Sequence, residues 1–348
     1  MIKQKKILFF GNIPKKEASN SIGGATILAL RILFFLNQDQ IISITQKDIR
    51  RIWKPKLHLI EHFFWLLKFP FILYKKDVVS FHTTWDFNFT VGPLLWLWSR
   101  LFNKRIIYHF FGGDFHTHFQ KLPNLIQQVY LKTILSSDVI FFETKACIEY
   151  FENLGVQNIE WLPNARKKEI HKLNDKIYSK KFVFISRVIN EKGINEIIEV
   201  SKQLDSSYIF DIYGPIDERY FNKNNFNNSN VNYKGELQPE EVSHVLKNYD
   251  FLLLPTYFSG EGYPGIIIEA LAFGIPSITT NWISIPEIIQ NNYNGFLIEP
   301  KNAIQLKQII ENINDTNYQN LRFNAFKSFE NFDENIVFKK IIKAYLNE

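Results

Sequence analysis

Two glutamates eight positions apart, Glu261 and Glu269, bracket the segment with the strongest chemical signal. A Pro and a Gly precede an apolar run that contains Glu269 and stops at Gly274, which predicts a helix from about Pro264 to Phe273. A carboxylate in so apolar a helix is costly to bury unless hydrogen-bond donors meet it, and vicinal ribose hydroxyls are suitable donors. Glu261 stands in the preceding loop, where it could bind a sugar hydroxyl. A surface pair of glutamates is the alternative.

Two cations follow another predicted strand. Arg187 and Lys192 stand five positions apart after the apolar run 182–186, and Gly193 marks the turn into a helix. Fixed positive charge beside a strand end can neutralise a diphosphate leaving group, as a metal ion does at other sites. The free N–H groups at the start of the helix after Glu261 could bind the same anion. Solvated surface side chains are the alternative, because Lys and Arg are mostly exposed.

A glycine pair, Gly23-Gly24, follows the first predicted strand and opens a helical pattern. Glycines let a backbone approach a phosphate or a sugar closely, although a bare Gly-Gly is equally a plain turn. The pair belongs to neither a Gly-x-Gly-x-x-Gly motif nor a Gly-Lys-Ser/Thr motif. Dinucleotide binding and P-loop ATP hydrolysis therefore lose support.

Histidines and one aspartate near predicted strand ends are candidates for sugar contacts. His109 could contact a donor-sugar hydroxyl or the acceptor, and Asp114 is a candidate acceptor-side carboxylate. His82 fits a core position or a cleft lining equally well. His116 and His118 beside Asp114 suggest a metal site, but a spacing of two without a strand or helix to aim them makes a poor ligand set. We therefore predict no metal.

The elements that must position these residues are short apolar strands alternating with longer helical patterns. Continuous hydrophobic runs are typical of strands buried on both faces of a parallel sheet. The repetition predicts two Rossmann-like, doubly wound domains, with ligands beyond the carboxyl ends of the strands in a cleft between the domains. The predicted strands are 6–10, 41–45, 78–82, 105–110, 139–143, 159–163, 182–186, 208–213, 231–234, 251–255, 277–280 and 295–298.

The polar, Lys-rich stretch between Asn164 and Lys181 predicts the hinge between the domains. We expect an amino-terminal domain over residues 1–165, a carboxy-terminal domain over 166–332, and a last helix over 333–348 that returns to the amino-terminal domain. Apolar residues on one stripe support that helix: Ile336, Val337, Ile341, Ile342 and Tyr345.

Composition narrows the class of protein. The 348 residues suit two domains, and 46% hydrophobic with 22% charged residues is typical of a globular chain. The net charge of +6 favours anionic partners, but no nucleic-acid-binding module is recognised. The single cysteine, Cys147, excludes an intrachain disulfide, fits a reducing compartment, and is expected to be a small buried hydrophobe. We expect a first strand rather than a signal peptide before Gly11, and no transmembrane helix.

The motifs together resemble the retaining glycosyltransferases of GT-B fold known as group 1 or family 4. That family shows a Glu-x7-Glu element with an apolar helix and Gly-x-Pro, matched by Glu261 to Glu269 and then Gly274-Ile-Pro276. Its Gly-Arg…Lys-Gly element is similar to Ser186-Arg187 and Lys192-Gly193. Pro163-Asn164 and Asn294-Gly295-Phe296-Leu297 resemble further elements. The chain departs from the family at Ser186, where a glycine is usual, and at 281–287, which lacks the glycines usual before Pro-Glu.

The resemblance implies sugar transfer from a nucleotide-sugar donor, UDP- or GDP-linked, without metal or cofactor and with retained anomeric configuration. The amino-terminal domain would bind the acceptor and the carboxy-terminal domain the donor. The candidate catalytic residues are His109, Arg187, Lys192 and Glu261. The candidate donor-binding residues are Gly23, Gly24, Arg187, Lys192, Tyr213, Gly214, Leu237, Glu261, Gly262, Tyr263, Pro264, Gly265, Ile266 and Glu269; the acceptor-side candidates are His82 and Asp114.

The implied acceptor is a glycan or a lipid-linked glycan in cell-surface polysaccharide synthesis, handled in the cytoplasm. Two aromatic, Lys-flanked stretches, 59–74 and 94–98, could touch an anionic membrane surface, or simply pack as crossover helices on the amino-terminal sheet. A sugar-nucleotide epimerase of related fold and a non-catalytic nucleotide-sugar-binding protein are the alternatives. Donor turnover without an acceptor would indicate the epimerase.

Overall fold

The computed structural model describes residues 4–11, 13, 24–48, 58–88, 91–168, 173–226 and 230–348. Within them it contains twelve strands, and each overlaps a strand predicted from the sequence. The strands are β1 Lys5–Gly11, β2 Ile42–Asp48, β3 Val78–Thr83, β4 Arg105–Phe110, β5 Val139–Phe142, β6 Ile159–Trp161, β7 Lys181–Ile185, β8 Ile209–Tyr213, β9 Val231–Gly235, β10 Phe251–Leu254, β11 Ser277–Thr280 and β12 Gly295–Ile298.

Helices connect the strands in sequence order. They are α1 Gly24–Leu36, α2 His58–Leu73, α3 Trp85–Asn88, α4 Gly92–Leu101, α5 Phe115–Gln120, α6 Asn124–Lys132, α7 Lys145–Asn153, α8 Ile194–Ser201, α9 Val242–Leu246, α10 Gly265–Ala272, α11 Ala303–Glu311, α12 Asp315–Ser328, α13 Glu334–Val337 and α14 Lys339–Leu346. No helix among the described residues is long and apolar enough to cross a membrane.

The chain divides into two compact units, each with its own sheet. The amino-terminal unit comprises Met1–Asn164 and Asn335–Glu348, and the carboxy-terminal unit comprises Ala165–Glu334. The strand orders are β2-β1-β3-β4-β5-β6 and β12-β11-β10-β7-β8-β9, and all pairings are parallel. Two doubly wound parallel sheets confirm the predicted α/β fold class. The carboxyl ends of β7, β8 and β10 meet at one edge of the second sheet.

One face of the amino-terminal sheet carries α2, α4, α5, α6 and α7. These helices share a buried apolar cluster with β3, β4 and β5, to which α2 contributes Phe69 and α4 contributes Leu95. Helix α1 connects β1 to β2, and β2 lies on the side of β1 away from β3. Because crossovers between parallel strands are right-handed, α1 packs on the opposite face of the sheet from the other helices. The crossover-helix interpretation of 59–74 and 94–98 is therefore confirmed for Phe69 and Leu95.

The last segment differs from the single helix predicted. It forms the two short helices α13 and α14, separated at Phe338, whose ring is fully buried and lies 5.5 Å from that of Phe35. Val337, Ile341 and Tyr345 are buried as expected, but Ile336 is 55% exposed. The prediction of one continuous stripe was wrong at Ile336. The break between α13 and α14 places the Phe338 side chain in the core and leaves Ile336 exposed.

Candidate functional site

The loop after β7 carries the two predicted cations. Arg187 is exposed, and Lys192 ends the 3-10 helix Asn190–Lys192. Gly193 adopts a φ of +81°, and a Cβ on it would lie 2.3 Å from the carbonyl oxygen of Pro255. Only glycine fits this approach, which seats the loop against the end of β10 and fixes the position of Lys192.

Lys192 and Glu261 are both buried and form an ion pair. Glu261 follows β10, and its Oε2 also accepts a hydrogen bond of 2.8 Å from the Thr256 hydroxyl. Either charge alone would be costly to bury, so each stabilises the other. Because an ammonium group has three N–H donors, Lys192 can hold Glu261 and a second anionic oxygen at once.

The ring of Phe258 lies against both cations. The Arg187 Cζ is 5.2 Å and the Lys192 Nζ 5.0 Å from the centroid of this ring. The Phe258 carbonyl oxygen accepts a hydrogen bond of 2.9 Å from the Trp282 indole, which anchors the loop. Cation–π attraction thus gathers two positive charges beside Glu261. Phe258 was not predicted as a site residue; the available signal was an aromatic residue between a buried strand and a candidate glutamate.

Helix α10 begins at Gly265 with Pro264 as its N-cap, as predicted. The first N–H groups of a helix have no intrahelical partner, and here Ile267 is the first to donate back, to the Pro264 oxygen at 3.1 Å. The N–H groups of Gly265 and Ile266 therefore stand at the positive end of the helix dipole, where they can bind an anion.

Arg166 is a second residue that sequence analysis missed. Its buried guanidinium is ion-paired with Glu269 on α10. A Cβ on Gly265 would lie 1.6 Å from the Arg166 Nη2, so a larger residue at this position would displace the Arg166 guanidinium. A single Arg just after Pro163-Asn164 was the only signal in the sequence.

The burial of the two glutamates reverses the expectation from the sequence. The Glu269 side chain is 24% exposed and receives its donor from Arg166, whereas Glu261 is 8% exposed. Ribose hydroxyls are therefore not the only donors within reach of Glu269, because Arg166, far away in sequence, supplies one. Glu269 can still accept from ribose hydroxyls through its exposed surface.

The side chain of Tyr263 is buried and donates a hydrogen bond to Glu287. Ser284 donates to the carbonyl oxygen of Gly262 at 2.7 Å, so the segment before Pro-Glu braces the loop around Glu261. Ile283 adopts a φ of +47°, a conformation that favours glycine. Of the predicted donor contacts at Tyr263, only the backbone fits this geometry, since the hydroxyl is already engaged.

The residues expected near the base follow β8 and β9. Gly214 has a φ of +134°, and a Cβ there would lie 1.9 Å from the Ser186 carbonyl oxygen, so the loops after β7 and β8 touch. Leu237 is half-buried beyond β9. The Tyr213 hydroxyl lies 3.3 Å from that of Tyr249, which donates to Asp211 at 2.6 Å, so it is occupied within the unit.

His109 and His82 are both fully buried in the amino-terminal unit. Their Nδ1 atoms lie 3.1 Å apart, and His82 Nε2 is 2.8 Å from the Ser80 hydroxyl. Burial lowers the pKa of His109 to about 3 and holds that of His82 well below its usual value. Because the His109 ring has no exposed surface, its burial argues against the predicted contact with a sugar, which stays a prediction; His82 takes the core position.

The other residues singled out in the amino-terminal half of the sequence are Asp114, Gly23, Gly24 and Cys147. Asp114 pairs with His118, with 3.0 Å between Oδ2 and Nε2. Among the described residues no three His, Cys, Asp or Glu side chains could hold one metal ion. Gly24 is the first residue of α1, and Gly23 lies outside the described residues. Cys147 is fully buried as predicted, which raises its pKa to about 11.

The part of the chain that is similar to a known family contains the same site residues. Residues 165–327 match the family model of glycosyl transferases group 1. The match covers somewhat less than half of the chain, and this region is similar to the group 1 glycosyltransferases. The matched region is almost the whole carboxy-terminal unit, and it contains every residue of the Lys192, Glu261 and Glu269 site. The Glu261 to Glu269 element resembles the Glu-x7-Glu element of that family, and each of its two glutamates is ion-paired with a cation of its own.

Individual relatives cover part of the chain. The N,N'-diacetylbacillosaminyl-diphospho-undecaprenol alpha-1,3-N-acetylgalactosaminyltransferase of Campylobacter jejuni is 28% identical over 58% of this chain and 54% of its own length. CapM of Staphylococcus aureus, a capsular polysaccharide biosynthesis glycosyltransferase, is 27% identical over 56% of this chain and 51% of its own. The chain thus spans about half the length of the curated relatives it matches.

A solved structure confirms the GT-B fold over the full length. Anabaena HepE in complex with UDP superposes with a TM-score of 0.74, covering 99% of this chain and 100% of HepE, at 16% identity. The TM-score shows a shared fold, and at this low identity the likeness extends to the fold alone.

Proposed function

We propose that this chain is a retaining glycosyltransferase that moves a sugar from a nucleotide-sugar donor to a glycan or lipid-linked acceptor. The observation that carries the proposal is the cluster of Arg187, Lys192 and Glu261 around the Phe258 ring, at the carboxyl edge of the second sheet. That edge is where open α/β sheets bind ligands. The name of the Campylobacter relative, which specifies a diphospho-undecaprenol carrier, supports a lipid-linked acceptor.

In the proposed reaction the bond between the sugar C1 and the leaving phosphate oxygen breaks, and a bond from C1 to the acceptor oxygen forms on the same face. The acceptor hydroxyl proton passes to the leaving phosphate oxygen. Negative charge grows on the diphosphate as it leaves, and this is the charge to stabilise. Arg187, Lys192 and the N–H groups of Gly265 and Ile266 supply positive charge there. Glu261 would bind the sugar and Glu269 the ribose.

Replacement of Arg187 is the cleanest test, because Arg187 is exposed and its loss leaves no buried charge behind. We expect Arg187→Ala to reduce donor turnover by roughly a hundredfold, the usual effect of removing one donor to a developing anion. Lys202→Ala, an exposed cation at the far end of α8, is the matched control and should keep full activity. Equal activity in Arg187→Ala and wild type would remove the basis of the proposal.

The donor must be identified before this assay. Thermal shifts with UDP- and GDP-linked sugars should single it out, because a ligand that binds only the folded chain raises its unfolding temperature. NMR of the product then reads the anomeric configuration, and inversion would contradict the retaining mechanism. We propose that the cations replace a metal ion, so a chelator should leave the rate unchanged. Turnover of donor without any acceptor would indicate an epimerase instead.

We propose that the reaction takes place in the cytoplasm, at the surface of an anionic membrane, in the assembly of cell-surface polysaccharide. CapM, which acts in capsular polysaccharide biosynthesis by its name, supports this role. The charge and apolar surface of the amino-terminal unit support the membrane partner.

A further inference from the structure

Three helices of the amino-terminal unit carry exposed apolar side chains. In α4 the exposed residues recur at i, i+3 and i+7, which places them on one side of the helix. In α2 two exposed residues stand at i and i+4, and Tyr74 directly follows the end of that helix. Phe71 is 84% and Leu125 78% exposed. We call the nine residues the three-helix face: Leu67, Phe71, Tyr74, Leu94, Leu97, Leu101, Leu125, Ile126 and Val129.

These nine residues lie on one side of the amino-terminal unit. The inner sides of α2, α4 and α6 place Phe69, Leu95 and Tyr130 in one buried cluster with the strands. Since one sheet face receives all three helices, their outer sides form one layer turned away from that sheet. Exposed apolar residues gathered in this way mark an interaction surface.

Positive charge predominates beside the three-helix face, although Glu61 lies in α2 and Asp77 directly follows Lys76. The segments 66–76, 92–104 and 121–132 contain no Asp or Glu. Their cations are Lys68, Lys75, Lys76, Arg100, Lys104, Lys121 and Lys132. Arg100 is paired with Asp138, and Lys76 lies against the Thr45 hydroxyl, so five lysines remain to flank the apolar residues. A partner for this surface must offer an apolar region to the exposed apolar side chains and negative charge to the lysines that flank them.

We propose that the three-helix face docks on an anionic lipid bilayer. The apolar side chains enter the boundary between headgroups and acyl chains, and the flanking lysines reach the lipid phosphates, as on interfacial helices. An anionic bilayer offers acyl chains and phosphates together over an extended area, which matches both the apolar residues and the lysines of this face. The three-helix face would bring the enzyme to the membrane that holds a lipid-linked acceptor. That acceptor rests on the proposed function, whereas the docking surface does not.

Vesicle co-sedimentation of the full chain, without donor, tests the proposal. Vesicles containing phosphatidylglycerol should bind the protein, vesicles of phosphatidylcholine alone should bind it much less, and salt should weaken the binding. The triple variant Phe71→Ser, Leu97→Ser, Leu125→Ser should bind at least about tenfold more weakly. Phe34→Ser is the matched control, because Phe34 is 70% exposed but lies on α1, against the opposite sheet face.

Three outcomes would overturn the proposal. They are equal vesicle binding by the triple variant and wild type, equal binding to neutral and anionic vesicles, and a dimer in solution that the triple variant dissociates, which would assign the face to self-association. Donor turnover measured with a water-soluble acceptor and no vesicles should be unchanged in the triple variant. Failed vesicle binding with intact turnover therefore overturns the membrane face and leaves the proposed transferase standing.

Discussion

Each glutamate of the site is held by a cation, Glu261 by Lys192 and Glu269 by Arg166. Removing one member of a buried pair leaves the other charge without its partner, so a loss of activity can be mistaken for a catalytic effect when the fold is weakened. Variants at these positions must therefore separate the two effects.

Lys192 allows that separation. We expect Lys192→Met to lower the free energy of unfolding by about 3 kcal/mol, because Glu261 stays buried without its counter-ion. Adding Glu261→Gln removes the buried charge and should restore most of the stability while donor turnover stays absent. Denaturant unfolding and a donor assay on both variants measure this. If the double variant is as unstable as Lys192→Met, the ion pair does not explain the loss.

His109 predicts an acid sensitivity of the amino-terminal unit. Its pKa is about 3 in the folded chain and near 6.5 when exposed, so only the unfolded chain binds the proton between these values. Stability is complete above pH 6.5 and falls as the pH drops toward 3, by about 1 kcal/mol per pH unit from this group. His109→Gln should show a shallower decline in unfolding experiments from pH 7 to 5.

The same variant tests the role of His109. Since the ring has no exposed surface, His109→Gln should retain donor turnover at neutral pH. A hundredfold loss in a stable variant would support the catalytic role predicted from the sequence.

At the scale of elements, Gly193 at the start of α8 packs against Pro255 at the end of β10, and this contact positions the neighbouring Lys192. Gly193→Ala adds a Cβ at 2.3 Å from a backbone oxygen and should lower both stability and donor turnover. Gly155→Ala is a matched control, because Gly155 has a φ of +80° with nothing within 4 Å of its Cβ position. Both variants carry the strain of a left-handed residue, about 1 kcal/mol. Only Gly193→Ala should lose more; equal effects would contradict the seating.

At the scale of the whole molecule, the chain's last residues complete its first unit. Tyr345 on α14 is fully buried, its hydroxyl lies 3.5 Å from His82 Nε2, and Arg105 donates to the Ala344 oxygen at 2.7 Å. We expect Tyr345→Ala to destabilise the amino-terminal unit by about 3 kcal/mol. Hydrogen exchange should then accelerate in β1 and β3 but not in β10. Ile336→Ala, at an exposed position, should change little; a uniform increase across both units would contradict the assignment.

Strand positions and the start of α10 could be predicted from the sequence because they depend on local patterns. Buried parallel strands need continuous apolar runs, and Pro264-Gly265 marks a helix start whatever surrounds it. The partners of the site residues could not be predicted in this way. Glu261 and Lys192 are 69 residues apart in sequence, and Glu269 and Arg166 are 103 apart.

The sequence by itself determined two doubly wound sheets, the loops that carry chemistry, and the residue types in those loops. Only the tertiary structure decided that Arg166 satisfies Glu269, that Phe258 gathers Arg187 and Lys192, and that His109 is buried. The physical reason is that apolar periodicity is a property of neighbours along the chain. Desolvation and charge pairing depend instead on which distant loops the strand order brings to one edge of a sheet.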